Sequence, residues 1–316
     1  MTEPASQSVL HHYPFSPYAE KVRAMLGFKR IAWKSVQIPP VMPKPDVVAL
    51  TGGYRKTPIL QIGADIYCDT ALIARVLERL RPAPPLFGKL DTLAVQASAH
   101  FADNVLFGIT VPIAYQPGYG MMKLHLSDAS PEYLANFGKD RAAMRQGGTV
   151  RRGPVHECRS LLPGMLAKVE AQLERNFLFG DQPCIADFSL YNALWPLWQP
   201  ADTRQLLDPY PKTKRFAERM AAIGHGKFSE ISSGDAIQLA KSSKPQAVKD
   251  AVAFETGGIE LGGQAQAMPV DSGLDPVTGD LLQASTAEIV IRRTDPRAGT
   301  VHVHFPRFGY QLLKPN

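Results

Sequence analysis

Ser16 stands directly before Pro17 in "HHYPFSPYAEKVRAML" (11–26), where an apolar run meets a helical pattern. A serine there is a natural helix N-cap, its hydroxyl accepting from an orphan amide while proline presets the φ of the first turn. The same geometry can hold an anion, because the amides and dipole of a helix start favour negative charge and a hydroxyl can donate to a thiolate. Tyr13, three residues upstream, offers a second hydroxyl. Far downstream, "VHVHF" places Val301, Val303 and Phe305 on one strand face and His302 and His304 on the other. Two imidazoles at i, i+2 need a third ligand to hold a metal, and the sequence offers none nearby, so a polar strand face and no metal are expected. Cys68, Cys158 and Cys184 are odd in number and lack metal-ligand spacing, which argues against a disulfide framework or a zinc site and fits a reducing cytoplasm.

Composition limits the function classes. With 316 residues, 45% hydrophobic and 20% charged, the chain can build two or three domains with real cores. Lys and Arg exceed Asp and Glu by 35 to 29, a net +6 that is scattered along the chain. That suits small anionic ligands better than nucleic acid. Arg292, Arg293 and Arg307 near Phe305 and Phe308 could form a single-strand platform, but a solvated rim is the commoner outcome, and no nucleic-acid partner is expected. The start "MTEPASQSVL" has no basic region followed by an apolar core, and no apolar run reaches membrane-spanning length. Neither export nor membrane insertion is expected.

The elements that position Ser16 follow from pattern. "SVLHHY" (8–13) reads as a strand, and Tyr18, Val22, Met25 and Leu26 recur at helical spacing up to Gly27, which is expected to end the helix. "IAWKSVQI" (31–38) reads as a second strand, stopped by "PPVMPKP". "TPILQIG" and "DIYCD" form a hairpin, and Ile73, Val76, Leu77 and Leu80 give the next helix one apolar stripe. "RPAPP" (81–85) is a stiff linker. From about residue 90 to 232 the signals are nearly all helical; the last 60 residues turn β-rich, separated by the polar "KSSKPQAVKD".

The first region resembles the thioredoxin-like domain of soluble glutathione transferases, and "FSPYAEKVR" is similar to the omega-type active-site turn with Ser16 in place of its cysteine. "KPDVVALTGGYRKTP" matches the family's run from a lysine-proline pair to the residue before a cis-proline, and "CDT" matches its acidic-hydroxyl pair. The resemblance implies that Ser16 faces the glutathione sulfur. It implies that Thr57 pairs its backbone with the cysteinyl part, and that Pro58 is cis. Asp69 and Thr70 would grip the γ-glutamyl end, Lys44 the glycyl carboxylate, and Tyr13 is the alternative thiol activator.

"DQPCIADFSLYNALW" resembles the family's buried helix, but Cys184 stands where a capping hydroxyl is usual, a loss of ~1 kcal/mol of helix stability. Ser16 and Ala19 occupy the two positions of a CxxC motif, so a disulfide cannot form there and conjugation is favoured over disulfide reduction.

The expected architecture is an α/β thioredoxin-like domain (1–82), an all-helical domain (88–235) and a small all-β module (255–316) laid on the core rather than joined to its sheet. The resemblance implies a cytoplasmic glutathione transferase, forming a two-fold dimer, with glutathione as cosubstrate, no tightly held cofactor, and a small apolar electrophile. Phe101, Val105 and Tyr115 would line the electrophile pocket. The alternative is a non-catalytic binding or interaction protein of the same fold.

Overall fold

The structure, a computed structural model, describes residues 8–150, 152–248 and 251–315. Strand β1 (Ser8–His12) leads through helix α1 (Pro17–Phe28) to the parallel strand β2 (Trp33–Gln37). Helix α2 (Pro45–Thr51) follows, and then the hairpin of β3 (Ile59–Ile62) and β4 (Asp65–Cys68), with β3 antiparallel to β1. Gly63, at φ 60, takes the first position of the two-residue turn between Ile62 and Asp65. Helix α3 (Thr70–Leu80) closes the unit with its apolar stripe inward. This is the thioredoxin-like arrangement.

Among the described residues, seven helices of more than one turn make the next domain: α4 (Leu93–Phe101), α5 (Phe107–Ala114), α6 (Gly120–Leu126), α7 (Pro131–Arg145), α8 (Val155–Gln172), α9 (Ile185–Trp198) and, after the short α10 (Ala201–Arg204), α11 (Pro211–Ala222). Between α4 and α5 the helical run passes through a π-type segment, Ala102–Leu106. α9 is buried almost throughout. At its start Asp187 accepts from the backbone N–H of Cys184 at 2.9 Å and of Leu178 at 2.8 Å, while the Cys184 thiol donates to the same carboxylate. Both halves of the capping box are therefore present, the Cys184 sulfur taking the place of the usual hydroxyl as acceptor from the Asp187 N–H while its thiol also donates to the Asp187 carboxylate.

The chain then returns to the sheet. Strand β5 (Phe228–Glu230) pairs in parallel with β2, and helix α12 (Ser233–Ser242) packs on α2. Gly27 does not end α1 but lies inside it. A Cβ there would sit 2.2 Å from the carbonyl oxygen of Gly224, so the residue permits a close crossing of the chain that leads to β5.

The C-terminal strands correct the expectation of a separately laid module. Strands β6 (Gln264–Pro269), β7 (Val277–Ala284), β8 (Glu288–Asp295), β9 (Gly299–Pro306) and β10 (Tyr310–Leu313) continue the same sheet, in the order β10-β6-β7-β8-β9-β4-β3-β1-β2-β5. The join is a parallel pairing of β9 with β4. Its cause is apolar. Val301, Val303 and Phe305 point to the face that also buries Val9, Val36, Ile59 and Ile66, forming one core under α2 and α12. The opposite face of β1 and β3, with Leu10 and Leu60, packs on α1, α3 and the helical domain. Arg292 pairs with Asp280, Arg293 donates to the carbonyl of Ala49, and Phe305 is fully buried, so these groups form no open platform.

Candidate functional site

A cleft of about 1950 Å³ opens where the first domain, the helical domain and the C-terminal strands meet. It is wider than the roughly 300–1000 Å³ of an ordinary small-ligand pocket. Tyr13, Ser16, Thr57, Pro58, Asp69 and Thr70 all line it. Residues far apart in the chain are thus brought to one wall, by the β1–α1 turn, the β3 start and the β4–α3 junction.

Ser16 caps α1, its Oγ accepting from the Ala19 N–H at 3.3 Å. Accepting uses a lone pair and leaves the hydroxyl proton, which is donated to no protein group among the described residues. Capping and donation toward the cleft are therefore compatible. The turn itself is fixed from behind. The Tyr115 hydroxyl donates to the Phe15 carbonyl at 2.7 Å, and Arg23 reaches the Pro14 carbonyl at 2.9 Å. Arg23 is paired with Glu20, which His225 also meets at 3.0 Å. Burial, then the Arg23 charge, pushes the His12 imidazole down to about 3, so His12 is a neutral structural partner of Arg23 rather than a catalyst. Burial likewise lowers His11 to about 4.

The Thr57–Pro58 peptide is cis. Asp69 has φ 78 and caps α3, its Oδ1 accepting from the Ala71 N–H at 2.9 Å. Its Oδ2 faces the Tyr310 hydroxyl at 3.3 Å, a residue of β10. Thr70 Oγ1 accepts from Lys21 Nζ at 3.4 Å.

Lys44 is the exception. It is buried and does not line the cleft; its Nζ donates to the Arg55 carbonyl at 3.1 Å and to Thr57 Oγ1 at 3.3 Å, supporting Thr57 from beneath. The expected contact with a glycyl carboxylate does not fit that placement. Lys56 lines the cleft instead, ion-paired with Asp271 at 2.6 Å. Of the expected electrophile-pocket residues, Val105 and Tyr115 line the cleft and Phe101 does not.

Two features were not anticipated. Asp103, in the π-type segment, takes an ion pair from Lys21 at 2.6 Å and hydrogen bonds from Ser189 at 2.9 Å and Asn192 at 2.9 Å. This network ties α1 and α3 to α9 in the wall of the cleft, which Lys21, Thr70, Asp103 and Ser189 line. The only hint was a polar "DN" in an otherwise apolar helical run. The second feature is the wall made by Asp271, Phe308 and Tyr310 of the C-terminal strands.

Comparison with known proteins agrees with this geometry. Residues 10–85 match the glutathione S-transferase N-terminal domain and residues 149–219 the glutathione S-transferase C-terminal domain. A GST-like protein from Pseudomonas syringae is 40% identical, with a TM-score of 0.80 over 98% of this chain and 100% of that one. The chain belongs to the glutathione S-transferase family. The poplar glutathione transferase F1 shares the fold at 15% identity and TM-score 0.50, covering 68% of this chain and 92% of its own. Glutathione S-transferase III in its apo form does so at 18% identity and TM-score 0.50, again over 68% of this chain. Because the Pseudomonas protein matches over 98% of the chain, the transferase fold and its C-terminal strands occur together there too. No curated protein matches the sequence. No described helix is long and apolar enough to cross a membrane.

Proposed function

We propose that this transferase binds glutathione along the wall from Asp69 to Ser16 and activates its thiol for conjugation to a small apolar electrophile. The observation that carries the reading is the Ser16 hydroxyl: it lines the cleft at the N-terminus of α1, accepts from Ala19, and keeps its proton for a group in the cleft. Asp69 and Thr70 at the start of α3 suit the ammonium and carboxylate of the γ-glutamyl end. The open backbone of Thr57 suits strand-like pairing with the cysteinyl unit.

The helix terminus and the Ser16 donor lower the thiol pKa. The thiol proton leaves to solvent, the sulfur lone pair forms the new bond to carbon, and the electrophile's leaving group departs with the displaced pair. Arg141, Arg145 and Arg152 also line the cleft, and buried Arg152 Nε has no hydrogen-bond partner among the described residues. They favour an electrophile that carries an anionic group beside its apolar body. The family resemblance further implies a cytoplasmic two-fold dimer.

The test uses ultraviolet absorbance of the bound thiolate across pH, together with turnover of a chromogenic electrophile. Ser16→Ala should raise the pKa of bound glutathione and lower turnover by about tenfold to a thousandfold. Ser16→Cys should gain thiol-transfer activity while losing conjugation. If all three proteins give the same titration curve, Ser16 is only a cap; if wild type binds glutathione without turning over any electrophile, the protein is a binding module.

A further inference from the structure

The seam between β4 and β9 carries a cluster that the cleft chemistry does not use. The register sets Asp65 opposite His302 and Tyr67 opposite His304. Alternation along β9 puts both imidazoles on one face, and the β4 carboxylate rises between them. Asp65 Oδ1 lies 3.1 Å from His304 Nε2 and 3.7 Å from His302 Nδ1. One donor atom from each of the three residues lies within 4.8 Å of the others. All three residues are more than nine-tenths buried, and none lines the cleft.

The surroundings orient the donors. His304 Nδ1 is 2.6 Å from Glu288 Oε1, which fixes the ring and turns Nε2 toward Asp65. The second oxygen of Asp65 accepts from the Gln246 N–H at 2.9 Å. His302 donates its backbone N–H to the Ala64 carbonyl, but its Nδ1 has no hydrogen-bond partner among the described residues. Arg292 lies opposite His302 on β8 and is engaged by Asp280.

We propose that Asp65, His302 and His304 form a site for a divalent first-row transition metal of zinc's class, a clasp holding β9 to β4. Ligand atoms around a tetrahedral zinc stand roughly 3.3 Å apart given bonds near 2.0–2.1 Å, close to the 3.1 and 3.7 Å that separate Asp65 Oδ1 from the two imidazoles. Two imidazoles and one carboxylate are ligands such ions favour, with water completing the set. A carboxylate on the far nitrogen of a ligating histidine, as Glu288 is on His304, is the usual outer support. A purely hydrogen-bonded seam would explain His304 but not the orphaned Nδ1 of His302, which costs free energy in a buried site.

The test titrates the chelator-treated full-length protein with zinc chloride by calorimetry and with cobalt(II) by visible absorption. Wild type should take one zinc per chain, melt at a higher temperature with it, and show the strong visible bands of a tetrahedral cobalt site. His302→Ala should abolish the bands and weaken zinc binding about a hundredfold or more, and the rise in melting temperature on adding zinc, seen in wild type, should be lost in this variant whatever the loss of the buried ring costs the metal-free protein. Glu288→Gln should weaken zinc binding by about ten- to a hundredfold. No zinc uptake by wild type, or equal uptake by wild type and His302→Ala, would overturn the site. The second outcome would assign the metal to histidines elsewhere in the chain.

Discussion

Burial gives Lys44 a proton equilibrium within reach of ordinary conditions. Its ammonium is pushed down to about 7, first by desolvation and then by the nearby Arg141 charge, against an ordinary 10.5. Between these values the unfolded chain holds a proton that the native chain has released, so stability must rise with pH across the window, by up to about 1.4 kcal/mol per unit. Below about 7 both states are charged, and the cost of the buried ammonium is fully present. The urea midpoint of wild type should therefore climb relative to that of Lys44→Met as pH rises from about 7 toward 10.5. Midpoints that stay parallel would mean Lys44 is solvated. Its burial could not be read locally, since "PPVMPKP" looks like a surface loop. What covers it is distant: Asp140 on α7 accepts from the Met42 N–H at 3.1 Å and pairs with Arg55, and Arg141 reaches the Pro40 carbonyl. Lys21 was hidden for the same reason, its partner Asp103 lying 82 residues away. Ser16 stood out locally, because a serine before proline marks a helix start, whereas Thr57, Asp69 and Thr70 came from the family resemblance; all four line the cleft.

α1 shows how an element can be foreseen while its details are set elsewhere. Ser16, Pro17 and the apolar spacing define its start and its buried face, and all three are local. Gly27 reads as a helix end because glycine usually is one, yet the helix continues to Phe28 and the glycine serves a crossing chain. Alanine is the better helix former by up to about 1 kcal/mol. At residue 27 its Cβ would meet a backbone oxygen at 2.2 Å, which cannot yield as a flexible side chain would. Gly27→Ala should therefore destabilise, by about 1–3 kcal/mol in a denaturant melt; an unchanged or raised midpoint would show that the crossing is loose. β5 was not foreseen because it has three residues, all exposed, and exists by pairing with the edge of β2. The π-type turn at Ala102–Leu106 escaped the periodicity as well, though it is what aims Asp103 at Lys21.

At the scale of the whole molecule, the C-terminal strands change what the cleft is made of. Alternation in "VHVHF" revealed which residues share a face, but not that the strand pairs with one some 240 positions earlier, since nothing local encodes a parallel partner; the contact of His304 with Asp65 spans 239 residues. The polar connector suggested a module laid on the core, whereas β9 joins the core's own sheet at β4. Cutting the chain near residue 245 would strip β9 from β4, leave β4 as an unpaired apolar edge, and uncover Ile59, Ile66 and α12 residues Ile237 and Ala240 that Val303 and Phe305 help bury. It would also remove Asp271 from Lys56 and Tyr310 from Asp69, one wall of the cleft. The truncated chain is therefore expected to aggregate or to melt without cooperativity. Any soluble fraction should bind glutathione more weakly than the full chain. Size-exclusion chromatography, calorimetric melting and glutathione titration of the two proteins side by side decide this. A monodisperse, cooperatively melting truncation with undiminished affinity would mean that β6 to β10 are an appendage after all, and that neither the β4 seam nor the Tyr310 contact matters to the transferase core.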